Sequence, residues 1–200
     1  MSESSQPTIH NFTESNNEYQ DIDNNWVKDR IMSVFPGSYY VTDEVKHIEA
    51  QKRGHDREVH LPHGKVSLLD AKIRRTNYDD ILIEFRHSDG QLGWIEENLT
   101  CDWILWIFPN HKTVRLPFYD LQQAWFKNRD KWLKRAESSK KEDSGYAIRK
   151  AENTNYRGDR YTTFNLSLPE ADLFQAVGGM FRSPAIEVTA PPTPEEITSA

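Results

Sequence analysis

Hydrophobic and polar positions change their period along this chain. Trp26, Val27, Arg30, Ile31 and Val34 recur at helical spacing, which predicts a helix over 25–35. Beyond the interrupting phrase FPGSYY, Thr42 or Asp43 can cap a second helical run over 42–53. After Gly54 the alternation becomes twofold. Residues 56–61 and 65–73 flank Pro62-His63-Gly64, a turn signal between two extended runs, which predicts a hairpin. The runs DILIEF at 80–85 and CDWILWIF at 101–108 are short, aromatic or β-branched and nearly continuous, as buried central strands are. TVRLPF at 113–118 reads as an edge strand ended by Pro117. Leu121, Ala124, Trp125 and Trp132 predict an amphipathic helix over about 118–136, followed by the loop SSKKEDSG. RYTTFNLSL at 160–168 reads as a last strand, and PEADLFQAVGGMF as a last helix with Pro169 in its first turn. That order predicts an α/β chain of the α+β kind, a central mixed β-sheet flanked by helices, and no internal repeat is present.

Composition sharpens this picture. Two hundred residues with 36% hydrophobic and 12% aromatic positions suffice for one core. The polar, acidic stretch 1–24 and the Pro-rich stretch 184–200 are expected to be disordered tails around one domain at 25–183. No run approaches 18 apolar residues, and the N-terminus lacks a basic region followed by an apolar one, so the expected location is cytoplasmic with no membrane partner. The single cysteine, Cys101, adjoins an apolar run and reads as a small buried hydrophobe, which excludes a disulfide and a thiolate zinc site. The net charge of −6 argues against nucleic-acid binding only as a sum. Residues 111–160 carry 13 basic and 7 acidic side chains, a local excess of +6.

The chemistry concentrates in VSLLDAKIRR. Asp70 and Lys72 stand two apart, so on a strand they project from one face while Ala71 points away. A three-residue turn at 62–64 pairs Leu61 with Lys65, and continuing that register sets Asp56 opposite Asp70. Cross-strand partners stand about 5 Å apart between Cβ atoms. Two carboxylates so placed repel each other and raise each other's pKa unless a cation lies between them, and a hard divalent ion held by oxygens is the usual solution. Lys72 would bring a positive charge to a water or a phosphate without being a ligand. Such a set polarises a phosphodiester, lowers the pKa of a bound water and stabilises the leaving oxygen. A D-x-K on a strand is by itself common and is usually a solvated ion pair. The facing acids, Gly54 before the strand and the apolar strands that follow are what set this one apart.

The run QKRGHDREVHLPHGKVSLLDAKIRR resembles the active-site hairpin of the PD-(D/E)XK nuclease superfamily, the fold of many restriction endonucleases, Holliday-junction resolvases and phage-borne nucleases. The downstream layout ILIEF, GWIEE, DWILWIF, helix, then NTNY and NLSLP is similar to small uncharacterised members from phages, other mobile elements and bacteria, over roughly residues 25–180. The resemblance implies a restriction endonuclease-like core and a Mg²⁺-dependent DNA endonuclease, with Mn²⁺ able to substitute. Asp56 and Asp70 would bind the metal, and Lys72 would assist the attacking water. It departs from the family pattern at His55, where proline is usual, and uses Asp rather than Glu as second acid. Members often add a glutamate from the first helix. Glu49 is the preferred candidate over Glu44 because it lies closer to the hairpin, and a solvent-facing helix glutamate is the alternative for either.

Glu84, in the middle of ILIEF, either faces the active site or pairs with Arg74 or Arg86, because an unpaired carboxylate there would be costly to bury. Lys127, Arg129, Lys131, Lys134 and Arg135, with Lys140 and Lys141 after them, either track a DNA backbone or form a solvated helix face. Trp94 reads as a packing residue. Cutting both strands with so small an enzyme would call for two active sites, hence an expected homodimer. The competing reading is a catalytically inactive nuclease fold serving as a DNA-binding or structural subunit.

Overall fold

The computed structural model describes residues 24–43, 53–74, 79–109, 112–138, 145–154, 158–178 and 186–189. In chain order the elements are α1 (Asn24–Val34), β1 (Tyr40–Asp43), β2 (Arg57–Leu61), β3 (Lys65–Ile73), β4 (Asp80–His87), β5 (Trp103–Ile107), β6 (Lys112–Pro117), α2 (Phe118–Ser138), β7 (Ala147–Thr154), β8 (Arg160–Pro169), α3 (Glu170–Gly178) and β9 (Ile186–Thr189). The architecture is α+β. The chain divides into two compact units, one holding residues 24–77, 100–118 and 183–200, the other 78–99 and 119–182.

The first unit is built on the hairpin. Leu61 pairs with Lys65 and Arg57 with Leu69, the register the turn dictates. Pro62–Gly64 makes the turn, where His63 (φ 64) and Gly64 (φ 71) both take the left-handed conformation. Burial follows the period of two. Arg57, Val59, Ser67, Leu69 and Ala71 are buried on one face, while Asp56, Glu58, His60, Leu68, Asp70 and Lys72 are partly exposed on the other. The full sheet is mixed, in the order β1-β2-β3-β5-β6-β9, with β3 and β5 parallel and every other pair antiparallel. Ile104 to Ile107 are all buried, as expected of an interior strand with a parallel neighbour. Val27, Ile31 and Val34 form the inner stripe of α1. Arg115 donates from Nη1 to the carbonyl of Val34, and its guanidinium lies over the rings of Phe35 (4.6 Å) and Trp103 (4.5 Å). A cation thereby satisfies an end carbonyl of α1, where the helix dipole is negative.

Three expectations are corrected in this unit. Thr42 and Asp43 lie in β1 rather than capping a helix, and the remainder of that run, 44–52, lies outside the described residues. The run at 113–118, read as an edge strand, lies in β6 up to Pro117 and is not at an edge, because β9 pairs with β6 from Lys112↔Thr189 to Arg115↔Ile186. Ile186–Thr189 is therefore a strand within the segment that composition marks as tail.

The second unit holds a three-stranded antiparallel sheet in the order β4-β8-β7. The apolar run at 80–85 thus belongs to this sheet and not to the mixed one. Its burial alternates, with Ile81, Ile83 and Phe85 buried and Leu82 and Glu84 half-buried. β7, sequence AIRKAENT, has no apolar signature and pairs along its whole length with β8. Leu121, Ala124, Trp125 and Trp132 form the buried stripe of α2, as their spacing predicts. The helix grips the turn Trp94–Glu96: Gln122 Nε2 donates to the carbonyls of Ile95 (3.0 Å) and Glu97 (2.8 Å), and Trp125 Nε1 donates to Glu96 Oε1 (3.0 Å). No helix among the described residues is long and apolar enough to cross a membrane.

Gly93 enters that turn with its Cα against the β4 backbone. A Cβ there would stand 2.4 Å from the carbonyl of Glu84 and the nitrogen of Phe85, so two main chains would have to separate. Gly93→Ala is expected to destabilise the protein by about 3 kcal/mol or more, at the upper end of overpacking costs. Gly90→Ala, at φ 89 with no neighbour within 4 Å, should lose only the left-handed penalty of about 1 kcal/mol. Urea unfolding of both variants checks this, and equal losses would refute it.

Candidate active site

The hairpin face that does not enter the core carries the predicted acids. Asp56 stands just before β2, where its N–H donates to the carbonyl of Leu69 (3.0 Å) and its Oδ1 accepts from the N–H of Ala71 (3.0 Å). The paired register ends at Arg57↔Leu69, and Asp56, one residue before β2, stands close enough to Asp70 for the two charges to act on each other. Lys72 Nζ lies 2.7 Å from Asp70 Oδ2, one pleat along the same face. The structure therefore brings Asp56, Asp70 and Lys72 together.

Their electrostatics follow from that placement. Burial first, then the charge of Asp70, push the Asp56 carboxyl up to about 7. Arg57, Lys72 and the Ala71 N–H oppose the shift without cancelling it. Arg57, which sequence reasoning passed over, donates from Nη1 to the carbonyl of Asp56 (2.9 Å) and stands 3.8 Å from its Oδ2. The signal for it was present: in a twofold pattern Arg57 falls on the inward face with Val59, and an inward charge in a hairpin needs a partner. Asp102 was also missed. Its Oδ2 accepts from Leu68 N–H (2.9 Å) and Ser67 Oγ (3.2 Å), and Trp103 Nε1 donates to Ser67 Oγ (3.0 Å), which ties β3 to β5 beside Asp70. Farther along the same face, Glu58 Oε1 lies 3.9 Å from His55 Nε2 and Glu58 Oε2 3.9 Å from His60 Nε2. Cys101 is buried, its thiol pushed up to about 12 by burial and then by Asp70 and so unreactive.

The other sequence candidates fare differently. Glu49, like Glu44, lies outside the described residues, as do Lys140 and Lys141. Glu84 belongs to the second unit, where its Oε1 meets His87 Nε2 at 3.0 Å. The expected arginine partners are corrected to this histidine, and Arg86 lies instead over the ring of Phe164 at 5.0 Å. Of the basic residues on α2, Arg129 pairs with the half-buried Glu96 (3.2 Å), and Arg135 pairs with Asp172 (3.4 Å) and covers the ring of Tyr146 (4.3 Å). Those two bind their own unit, while Lys127, Lys131 and Lys134 are exposed.

Among the described residues no group of three or more His, Cys, Asp or Glu is placed to hold a metal ion. Asp56 and Asp70 offer two carboxylates, an oxygen-only donor set that fits a hard ion such as Mg²⁺, which ordinarily keeps several waters and takes one or two protein carboxylates. The raised pKa of Asp56 fits the same assignment, since the local cations leave its charge under-compensated. Comparison with protein-family models, with curated proteins and with solved structures returned no match to this chain.

Two outcomes follow. A carboxyl whose folded pKa is about 7, against an ordinary 3.8, binds more protons folded than unfolded between those values, so its contribution to stability falls as pH rises from about 4 to 7. Asp56→Asn keeps an oxygen for the Ala71 N–H and removes that loss. With chelator present, the variant should exceed the wild type by on the order of 2 kcal/mol at pH 8 and by nothing near pH 4, as each pKa unit is worth about 1.4 kcal/mol before solvent screening. Parallel pH profiles in urea unfolding would sink the assignment. Separately, Arg129→Ala should destabilise by about 1–3 kcal/mol by leaving Glu96 without its cation. Lys131→Ala, at an exposed position, should stay within about 0.5 kcal/mol, again by urea unfolding.

Proposed function

We propose that this chain is a divalent-metal-dependent nuclease of the PD-(D/E)XK type that hydrolyses DNA phosphodiester bonds. One observation carries the reading: Asp56, tied to the second strand of the hairpin through Leu69 and Ala71, stands beside Asp70, and that strand also presents Lys72, 2.7 Å from Asp70. The run of elements supports a restriction endonuclease-like core, with the hairpin followed by a strand parallel to its second arm inside a mixed sheet.

Asp56 and Asp70 would hold Mg²⁺, with Mn²⁺ able to substitute. When bound, such an ion supplies Lewis-acid polarisation of the phosphodiester and lowers the pKa of a water. The chain's own groups do the rest. The Ala71 N–H holds Asp56 Oδ1 in place. Asp70 holds the Lys72 ammonium at the edge of the site, where it meets an attacking water and the charge that builds on the phosphoryl oxygens. Arg57 and the Asp102 network act beneath them, fixing the two strands that carry the acids.

The test uses the full chain with plasmid, duplex and single-stranded DNA in Mg²⁺ or Mn²⁺. Cleavage is expected, with chelation abolishing it and Asp70→Ala and Lys72→Ala each lowering the rate by about 10²–10⁴-fold, the range for loss of a positioned acid–base group. Wild-type protein that cleaves no better than Asp70→Ala overturns the proposal.

A further inference from the structure

The face that carries Asp56 and Asp70 continues along the hairpin to β1. Thr42 pairs with Glu58 and Tyr40 with His60, so Tyr40, Thr42, Glu58 and His60 all share the side of the sheet on which the acids stand. The far end of this face is aromatic and open. Tyr40 is 55% exposed and Tyr39 63%, and their rings lie 5.5 and 6.3 Å from the ring of His60. Thr42 Oγ1 and His60 Nε2 share a 2.9 Å hydrogen bond, and Glu58 stands 3.9 Å from the same nitrogen, so the imidazole is fixed from two sides. Three aromatic rings are thus gathered where the start of β1 meets the end of β2, with His60 four residues along the chain from Asp56, or about 13 Å at the rise of a strand.

We propose that this patch is a stacking platform for unpaired bases, and that the strand presented to the acid pair is single-stranded DNA. The proposal rests on the nuclease reading of the acids and adds the class of substrate to it. Two features favour bases over backbone at this end. Exposed aromatic rings stack on any base whose face is free, and in a duplex those faces are already covered by neighbouring bases. Glu58, between the acids and the rings, repels phosphates but accepts hydrogen bonds from exocyclic amino groups, such as that of cytosine. A backbone-tracking groove would carry lysine or arginine here, and this stretch carries an acid and aromatics. At duplex spacing about four bases fit between the acids and His60, and fewer if the strand is extended.

The experiment measures binding of labelled single-stranded and blunt duplex DNA to the full chain by fluorescence anisotropy in chelator, so that cleavage plays no part, and cleavage of both substrates in Mg²⁺ separately. The wild type should prefer the single strand. Tyr40→Ala should reduce that preference about 10-fold, within the roughly 5- to 150-fold expected for losing one stacked base. Tyr40→Trp should keep or raise it, and as Tyr40 is more than half exposed neither change threatens folding. Unchanged preference in Tyr40→Ala overturns the inference. So does a concentration-dependent dimer, seen by sedimentation, that Tyr40→Ala dissolves without altering DNA binding, since the rings would then serve a second copy of the chain. Failure of the nuclease reading is separately visible as absence of cleavage while the binding preference persists, and an unchanged preference with cleavage intact is failure of the inference alone.

Discussion

The candidate site depends on the register of β2 against β3. A strand has a side-chain period of two, so a slip of one residue would turn Asp70 and Lys72 into the core and expose Leu69 and Ala71. The turn at Pro62–Gly64 sets the register, and it does so with His63 at φ 64, a conformation that costs a non-glycine residue roughly 1 kcal/mol. Other contacts hold it once formed. Asp102 bonds the Leu68 N–H and Ser67, Trp103 bonds Ser67 in turn, and Asp56 takes the Ala71 N–H across the strands. The last of these matters most for chemistry, because where the paired ladder ends a single hydrogen bond satisfies a strand N–H and fixes a carboxylate beside Asp70.

Holding two acids there works against the fold. Asp56 is only partly exposed and stands beside Asp70, and the cations nearby do not offset the cost of its burial and of that second charge. Structures retain such strain where function uses it, and the surrounding packing must over-determine the geometry. Here that packing is β5, buried from Ile104 to Ile107, lying parallel against β3 from Leu69↔Trp103 to Ile73↔Ile107. Arg57 is the inward counterweight on the other strand, bonded to the main chain of the residue whose charge it moderates.

The elements legible in the sequence were those whose signal is local. A tripeptide turn and strict alternation were enough for the hairpin register from Leu61↔Lys65 to Arg57↔Leu69, and four apolar positions at helical spacing were enough for α2. The elements that escaped are stabilised by pairing. β1 is four residues long and exists beside β2, β7 is mostly polar and exists beside β8, and β9 lies in a Pro-rich tail and exists beside β6. Nor does the order of strands along a chain state which sheet each joins, so the run at 80–85 read as a central strand of the single mixed sheet. Glu84 shows the same limit at the scale of one side chain. In an unbroken strand positions 84 and 87 point to opposite faces, but the register shift between Glu84 and Arg86 returns His87 to the face of Glu84, and a bulge of that kind leaves no mark in composition.

Charge was the least legible property of all. The excess of basic residues over 111–160 left a strip for phosphates as one reading, yet Arg129 and the exposed Arg135 are spent on Glu96 and Asp172, and the other exposed cations of α2 are lysines. This division follows from the two side chains. A planar guanidinium holds a carboxylate and still covers an aromatic ring, as Arg135 does over Tyr146, whereas an ammonium on a long stem loses less by remaining in water. The hairpin face has the opposite character, with Asp56, Glu58 and Asp70 against Lys72. A polyanion reaching such a face gains little from its native charge, so binding there must draw on a recruited cation at the acids and on contacts that ignore phosphate altogether.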